Sequence, residues 1–141
     1  MWILHCPGTL AFARDAGADT AATEFYIVLG ESARQLDRNY TSFGRVIDGM
    51  QYVQKLNRGD ADVQNGVIPL VSRRDPIIRV RMAADIPAMQ RPHYQVLRTE
   101  TAAFAAAKEA RRTPKSPYLV HKAVSALDIC TMPIPVRHPP G

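Results

Sequence analysis

The sequence predicts a mainly β fold with one short helix packed on it and a C-terminal extension of mixed helical and irregular structure. Three short runs rich in β-branched and aromatic residues lie within the first 47 positions, separated by polar segments. A run with the spacing of an amphipathic helix follows them, and the composition changes after Asp85. We therefore expect a first domain over residues 1–85 and an extension over residues 86–141.

The three predicted strands are "GTLAFARD" (8–15), "EFYIVL" (24–29) and "FGRVI" (43–47). The first combines apolar and small residues, which is typical of a buried strand, and the other two are rich in aromatic and β-branched residues. Gly44 permits a bulge or a close approach of another backbone. The small and polar segments between the strands, residues 16–23 and 30–42, are predicted loops.

A helix is predicted immediately after the third strand, over residues 48–59. Asp48 is a good N-cap, and Gln51 stands three residues later, as in a capping box. Gly59 is a typical C-terminal stop. Apolar residues recur at three-residue spacing and predict one buried face: Met50, Val53 and Leu56.

Two further elements are predicted beyond this helix. Residues 75–85 alternate in polarity, with Val80 and Met82 on one face, which predicts a half-exposed strand. Residues 99–112 are rich in Ala and predict a helix, with Thr99 or Thr101 as its N-cap. A proline-rich tail follows this helix.

The composition argues against several classes of function. The chain has 141 residues and a net charge of +5, but its basic residues are scattered and are not interleaved with aromatic ones, so we expect no nucleic-acid partner. No apolar run approaches the ~20 residues of a membrane span, so we expect no membrane partner. The four histidines lack metal-ligand spacing, and neither a phosphate loop nor a Gly-x-Ser-x-Gly motif is present. We therefore expect no metal, no cofactor and no serine-based hydrolysis.

One long stretch resembles a known family. The segments "PGTLAFAR", "TEFYIVL" and "LDRNYTSFGRVIDGMQYVQKL" occur in this order over about 50 residues. They are similar to the cyclophilins, the peptidyl-prolyl cis–trans isomerases, whose motifs are PG-x-L-x-MA, S-Q-F-F-I and L-D-x5-F-G-x-V-x-x-G-M. The extension is similar to that of a proteobacterial branch. The resemblance implies a cyclophilin-like antiparallel barrel, closed by eight strands and capped by two helices.

The resemblance also implies a site for a substrate proline on the outer face of the barrel. By motif position, the pocket floor is Tyr26, the pocket wall is Leu36, and Tyr40 stands where the family usually has His. The edge strand that hydrogen-bonds the substrate peptide contains Ala13 and Arg14, and Glu24 replaces the usual Gln. On spacing alone, Tyr26 and Leu36 are more typical of ordinary core residues, and the resemblance reverses this interpretation.

The family's catalytic Arg has no counterpart in these motifs. In cyclophilins it lies in a segment similar to F-H-R-x4-F-M-x-Q, several dozen residues before the PG strand. Here only six residues precede Pro7. The resemblance therefore implies an N-terminally truncated chain that carries about the C-terminal half of the barrel, with no catalytic residue of its own, and with exposed strand edges.

The expected function is peptidyl-prolyl isomerisation of Xaa-Pro segments in unfolded or extended polypeptides, impaired in this chain. The alternative is a non-catalytic module that binds proline-containing peptides. The compartment is periplasmic if the intact protein has a signal peptide, and cytoplasmic otherwise.

The chain has two cysteines, Cys6 before the first predicted strand and Cys130 in an apolar run of the extension. If the intact protein is exported, we expect a disulfide that pins the extension to the barrel. Two buried free thiols in a cytosolic protein remain the alternative.

Overall fold

The structure is a computed structural model that describes residues 3–121, 128–133 and 135–139. The chain divides into two compact units. The first combines residues 1–48 with residues 94–141, and the second comprises residues 49–93. Each unit is described by itself below. The predicted boundary at residue 85 stays a prediction.

The first unit contains an antiparallel sheet of three strands: β1 (Thr9–Phe12), β2 (Phe25–Ile27) and β3 (Ser42–Arg45). The strand order is β2-β1-β3, so β1 is central. All three predicted strands are thus confirmed, and each is shorter than predicted. They form an open sheet, and the described residues contain no closed barrel.

The register of the sheet assigns its side chains to two faces. Ala11 pairs with Tyr26, and Phe12 pairs with Phe25. Because successive side chains in a strand point to opposite faces, Ala11 and Tyr26 share one face and the phenylalanines share the other. An irregularity between Leu10 and Ala11 leaves one residue of β3 between the partners Gly44 and Ser42.

The core of the first unit is small and lies on the Ala11 face of the sheet. His5, Thr9 and Ala11 are fully buried. Four other residues are nearly buried with them: Cys6, Val28, Cys130 and Met132. On the opposite face, the Phe12 and Phe43 rings lie 4.5 Å apart, and Phe43 remains 47% exposed.

A disulfide attaches the C-terminal part of the first unit to its N-terminal part. Cys6 and Cys130 form a disulfide with a Cα–Cα distance of 5.0 Å. Strands β4 (Gln95–Val96) and β5 (Val136–Arg137) form an antiparallel pair. The predicted helix of the extension is confirmed as α2 (Ala102–Arg112), and the Thr101 side chain caps it by accepting a hydrogen bond from the Phe104 N–H.

The second unit contains α1 (Met50–Val53), a single turn where a helix over residues 48–59 was predicted. Its N-cap is Gly49, in a left-handed conformation with φ 86°, and no side chain caps it. The prediction of an Asp48 and Gln51 capping box is therefore wrong. No residue of the predicted apolar face is buried, and Leu56 is 49% exposed, so this face lacks the tertiary packing that a short helix needs.

The predicted strand over residues 75–85 is also wrong. No β-ladder forms there, and the segment ends in a 3-10 turn, Ala83–Asp85. Ile78 is 93% exposed, and Val80 is 77% exposed. A strand requires a neighbour for its backbone groups, and none of the described residues supplies one, so the alternating pattern alone does not produce a strand.

Candidate functional site

The site residues predicted from the family motifs all lie in the first unit. Tyr26 lies at the centre of β2, and Ala13 and Arg14 follow β1 directly. Because β1 pairs on both sides and is the central strand of the described sheet, the prediction that Ala13 and Arg14 lie on an edge strand is wrong. Glu24 precedes β2, and its carbonyl accepts a hydrogen bond from the Ala13 N–H at 2.9 Å. The Glu24 side chain is exposed. The structure therefore brings Ala13 and Glu24 together through their backbones.

Leu36 and Tyr40 come from the turn that connects β2 to β3. Leu36 ends a 3-10 turn (Arg34–Leu36), and its carbonyl accepts hydrogen bonds from the N–H groups of Asn39 and Tyr40. These bonds tighten the turn and fix the position of the Tyr40 backbone. Among the described residues, no hydrogen bond or ring contact joins Leu36 to Tyr26.

Three of the predicted residues form a stack. The Tyr26 and Tyr40 rings meet edge to face, with centroids 6.1 Å apart. The Arg14 guanidinium lies over the Tyr40 ring, 4.7 Å from its centroid, in a cation–π arrangement. We call Tyr26, Tyr40 and Arg14 the aromatic wall. Since two of its three groups are rings with apolar faces, this wall is suited to a proline ring.

The Arg14 side chain is held in place by backbone carbonyls. Its Nε donates to the carbonyl oxygen of Asn39 at 3.0 Å, and one terminal nitrogen donates to that of Asp15 at 2.8 Å. Carbonyls of Ala16 and Gly17 lie at the long end of hydrogen-bond range from the same nitrogen. The guanidinium is therefore oriented before any ligand arrives.

Behind the aromatic wall, His5 connects Tyr26 to Asp37. The Nδ1 of His5 lies 3.0 Å from Oδ1 of Asp37, and its Nε2 lies 2.9 Å from the Tyr26 hydroxyl. The Ser42 hydroxyl is a longer second partner of Nε2, at 3.4 Å. An ionised carboxylate only accepts hydrogen bonds, so the Nδ1 atom carries a proton. In the neutral ring, Nε2 then accepts a hydrogen bond from the Tyr26 hydroxyl.

Asp37 is the charged end of this chain of hydrogen bonds. Partial desolvation raises the pKa of its carboxyl group. The hydrogen bonds donated by the His5 backbone N–H, the Arg34 guanidinium and the His5 ring outweigh that effect and lower the pKa to about 2. Asp37 is thus ionised at neutral pH, and Arg34 forms an ion pair with it. At neutral pH, the Asp37 carboxylate therefore accepts the hydrogen bond from Nδ1 of His5.

Two features of its surroundings raise the pKa of the Tyr26 hydroxyl. Desolvation by burial raises the pKa of this phenol, and the neighbouring Tyr40 raises it further. Tyr26 consequently stays protonated at neutral pH and supplies a hydrogen-bond donor to His5. Tyr26 thus contributes its apolar ring to the aromatic wall, and its hydroxyl bonds to His5 in the core.

His5 was not among the predicted site residues, because the four histidines lack metal-ligand spacing. His5 and Asp37 are 32 positions apart, and no local pattern links them. The one available signal is a phenol in place of the family's Phe at Tyr26, since a buried hydroxyl requires a partner.

Residues 3–121, 128–133 and 135–139 contain no group of three His, Cys, Asp or Glu side chains arranged to hold a metal ion. Within the same ranges, no helix has both the length and the apolar character required to cross a bilayer.

Comparison with known proteins decides the family. Residues 1–81 match the family described as "Cyclophilin type peptidyl-prolyl cis-trans isomerase/CLD". The chain belongs to the cyclophilin family. This match confirms the resemblance on which the site residues were predicted.

Several relatives of this cyclophilin chain are similar over part of their length. A probable peptidyl-prolyl cis-trans isomerase of Brucella abortus is 32% identical over 78 residues, which are 55% of this chain and 37% of that protein. A peptidyl-prolyl cis-trans isomerase of Acinetobacter baylyi is 40% identical over 53 residues, 35% of this chain and 28% of that protein. The chain thus spans well under half the length of these curated relatives.

A solved structure supports the fold. The cyclophilin AquaCyp293 from Hirschia baltica superposes with a TM-score of 0.71 over 96% of this chain and 43% of that chain, at 23% identity. The cyclophilin-like fold class that was predicted is therefore confirmed, as an open portion of that architecture.

Proposed function

We propose that this cyclophilin chain binds Xaa-Pro segments of extended polypeptides at the aromatic wall. The observation that carries the proposal is the continuous stack of Arg14, Tyr40 and Tyr26. A proline ring is a compact apolar group that packs well on such aromatic faces. The predicted peptide-binding positions, Ala13 and Glu24, adjoin this stack in the sequence.

Main-chain groups beside the wall are available to an extended peptide. The N–H of Arg14 has no hydrogen-bond partner among the residues that the structure describes. An extended ligand that pairs with this N–H gains a backbone hydrogen bond, while the wall accepts a side chain. This combination favours binding of an extended segment with a proline over binding of a folded surface.

We further propose that the chain accelerates prolyl isomerisation only weakly by itself. The uncatalysed barrier is ~18–20 kcal/mol because amide resonance must be broken. A wall that binds the planar and twisted amides equally does not speed this step. Of the two arginines that could stand in for the family's catalytic Arg, Arg34 is paired with Asp37, and carbonyl groups hold the Nε and one terminal nitrogen of Arg14.

The non-catalytic peptide-binding module remains the second candidate, and the same engagement of Arg14 and Arg34 favours it. In that case the aromatic wall selects proline-containing segments and no chemistry follows. The two candidates share their binding surface and differ only in turnover.

Both candidates are tested by one NMR experiment on the 141-residue chain and a short Ala-Pro peptide. Shifts of the resonances of residues 13–14, 26 and 40 on titration report binding, and exchange cross-peaks between the cis and trans peptide report catalysis. Binding with weak exchange is the expected result. Binding with no exchange supports the module, and the absence of any shift contradicts both.

A further inference from the structure

A groove beside the aromatic wall has a strongly one-sided charge. It encloses ≈ 520 Å³, a volume within the range of small-ligand sites. Among the described residues, its lining includes two guanidinium groups, from Arg14 and Arg38, and no Asp or Glu. The remaining polar lining comes from Asn39, Tyr40, Thr41 and Ser42. Such a lining complements a negatively charged group.

The two arginines differ in how they are held. Arg14 is half-buried, and carbonyl oxygens fix its Nε and one terminal nitrogen. Its other terminal nitrogen has no hydrogen-bond partner within the described part of the chain. Arg38 is exposed, has a left-handed backbone with φ 69°, and makes no hydrogen bond or ion pair with any residue that the structure describes. One donor is thus preorganised, and the other can close on a ligand.

The neighbouring acidic residues do not neutralise this groove. The Asp37 carboxylate, next to Arg38 in the sequence, already forms its ion pair with Arg34 and its hydrogen bonds with His5. Asp15 and Asp19 belong to the adjoining loop but do not line the groove. The positive charge of Arg38 is therefore available to a ligand.

We propose that this groove binds the carboxylate of an Asp or Glu residue that flanks the proline of a bound peptide. Arg14 and Tyr40 belong both to the groove and to the aromatic wall, so a peptide whose proline contacts the wall carries its neighbouring side chain toward the groove. Planar guanidinium groups match carboxylate geometry and form charge-assisted hydrogen bonds with it. This inference rests on the proposed function and adds a substrate preference to it.

The test is a set of matched peptides bound to the 141-residue chain. Each peptide contains one proline. Glu, Gln or Lys is placed at one position at a time, and the four positions tested are the two before the proline and the two after it. Dissociation constants are measured by fluorescence anisotropy at two salt concentrations. At one position, we expect the Glu peptide to bind roughly two- to fivefold more tightly than its Gln counterpart, as for a partly exposed ion pair. Added salt should reduce this ratio.

Charge reversal at Arg38 provides the matched variant. Arg38→Glu keeps a non-glycine residue at this backbone position and removes no described contact, so folding should be unaffected. It should abolish the preference for Glu and favour the Lys peptide. Arg79→Glu is the control, because Arg79 is an exposed arginine of the second unit; it should leave the preference for Glu unchanged.

The outcomes separate the two proposals. Equal binding of the Glu and Gln peptides at every position overturns the acidic preference and leaves the proposed function intact. A Glu preference that survives in Arg38→Glu overturns the assignment to this groove. If no peptide of the set binds, both the preference and the proposed function are wrong.

Discussion

The hydroxyl of Tyr26 and the Nε2 of His5 lie 2.9 Å apart, and this contact joins the aromatic wall to the core of the first unit. His5 is fully buried, and Asp37 holds the other side of its ring. The position of the Tyr26 ring therefore depends on a polar chain that begins at a carboxylate. A substitution of Asp37 or Tyr26, at either end of this chain, should therefore alter the proposed proline site.

Replacing Tyr26 with Phe removes this hydrogen bond and keeps the aromatic ring. The Nε2 of His5 then keeps only the longer contact to Ser42. We expect the free energy of unfolding to fall by about 1 kcal/mol. Urea denaturation measures the change. Tyr118→Phe is the matched control, since Tyr118 is 91% exposed. Equal stability of Tyr26→Phe and the parent chain would show that the contact contributes nothing.

Replacing Tyr26 with Ala should weaken peptide binding much more than Tyr26→Phe does, because the wall loses its ring. Binding of an Ala-Pro peptide to the folded fraction of each variant measures this. If folded Tyr26→Ala binds the peptide as tightly as the parent chain, then Tyr26 is only a core residue.

Asp37 should make stability depend on pH in the acidic range. Its pKa is lowered from 3.8 to about 2 in the folded chain, so the carboxylate stabilises the fold above about pH 4, and this contribution is lost as the pH falls through 2. Thermal melts between pH 6 and pH 2 should show a steeper decline for the parent chain than for Asp37→Asn. Asp19→Asn, at an exposed loop position, is the control. Parallel curves for Asp37→Asn and the parent chain would contradict this assignment.

The disulfide between Cys6 and Cys130 should contribute strongly to stability. The two residues are 124 positions apart, and the chain-entropy model assigns roughly 4–5 kcal/mol to a loop of this length, although measured gains are often smaller. Reduction, or the double substitution Cys6→Ser and Cys130→Ser, should lower the denaturation midpoint markedly. Intact mass after alkylation checks the pairing. Two thiols that react without prior reduction would rule the disulfide out.

The phenylalanine face of the sheet should cause self-association of the chain. Phe25 and Phe43 are 45% and 47% exposed, and their rings are 6.4 Å apart. Exposed aromatic groups beside open strand edges favour aggregation. Sedimentation velocity should show fewer oligomers for Phe43→Ser than for the parent chain, whereas Val71→Ser, at an exposed position of the second unit, should change little. A monomeric parent chain at high concentration would contradict this expectation.

Local patterns predicted the elements that depend on neighbours in the sequence. The three strands follow from β-branched and aromatic content, and Thr101 caps α2 through its own side chain. The helix at residues 48–59 and the strand at residues 75–85 were predicted by the same reasoning and are wrong. Their apolar faces require covering by residues distant in the sequence, and periodicity does not show whether such residues exist.

The predicted site residues came from the family motifs rather than from composition or periodicity. Those motifs identified Arg14, Tyr26 and Tyr40, which form one stack in the structure. They did not identify His5 or Arg38. The role of His5 depends on contacts over 21 and 32 positions, and the role of Arg38 depends on a groove that only the folded turn creates.

The disulfide between Cys6 and Cys130 should hold the chain together after proteolytic cleavage. Residues 49–93 form a unit of their own, and the segments on both sides of it belong to the other unit, which Cys6 and Cys130 join covalently. A protease that cleaves once within residues 49–93 therefore produces two fragments that stay linked. On a non-reducing gel the nicked protein should run as a single band, and only a reducing agent should separate it into an N-terminal and a C-terminal piece.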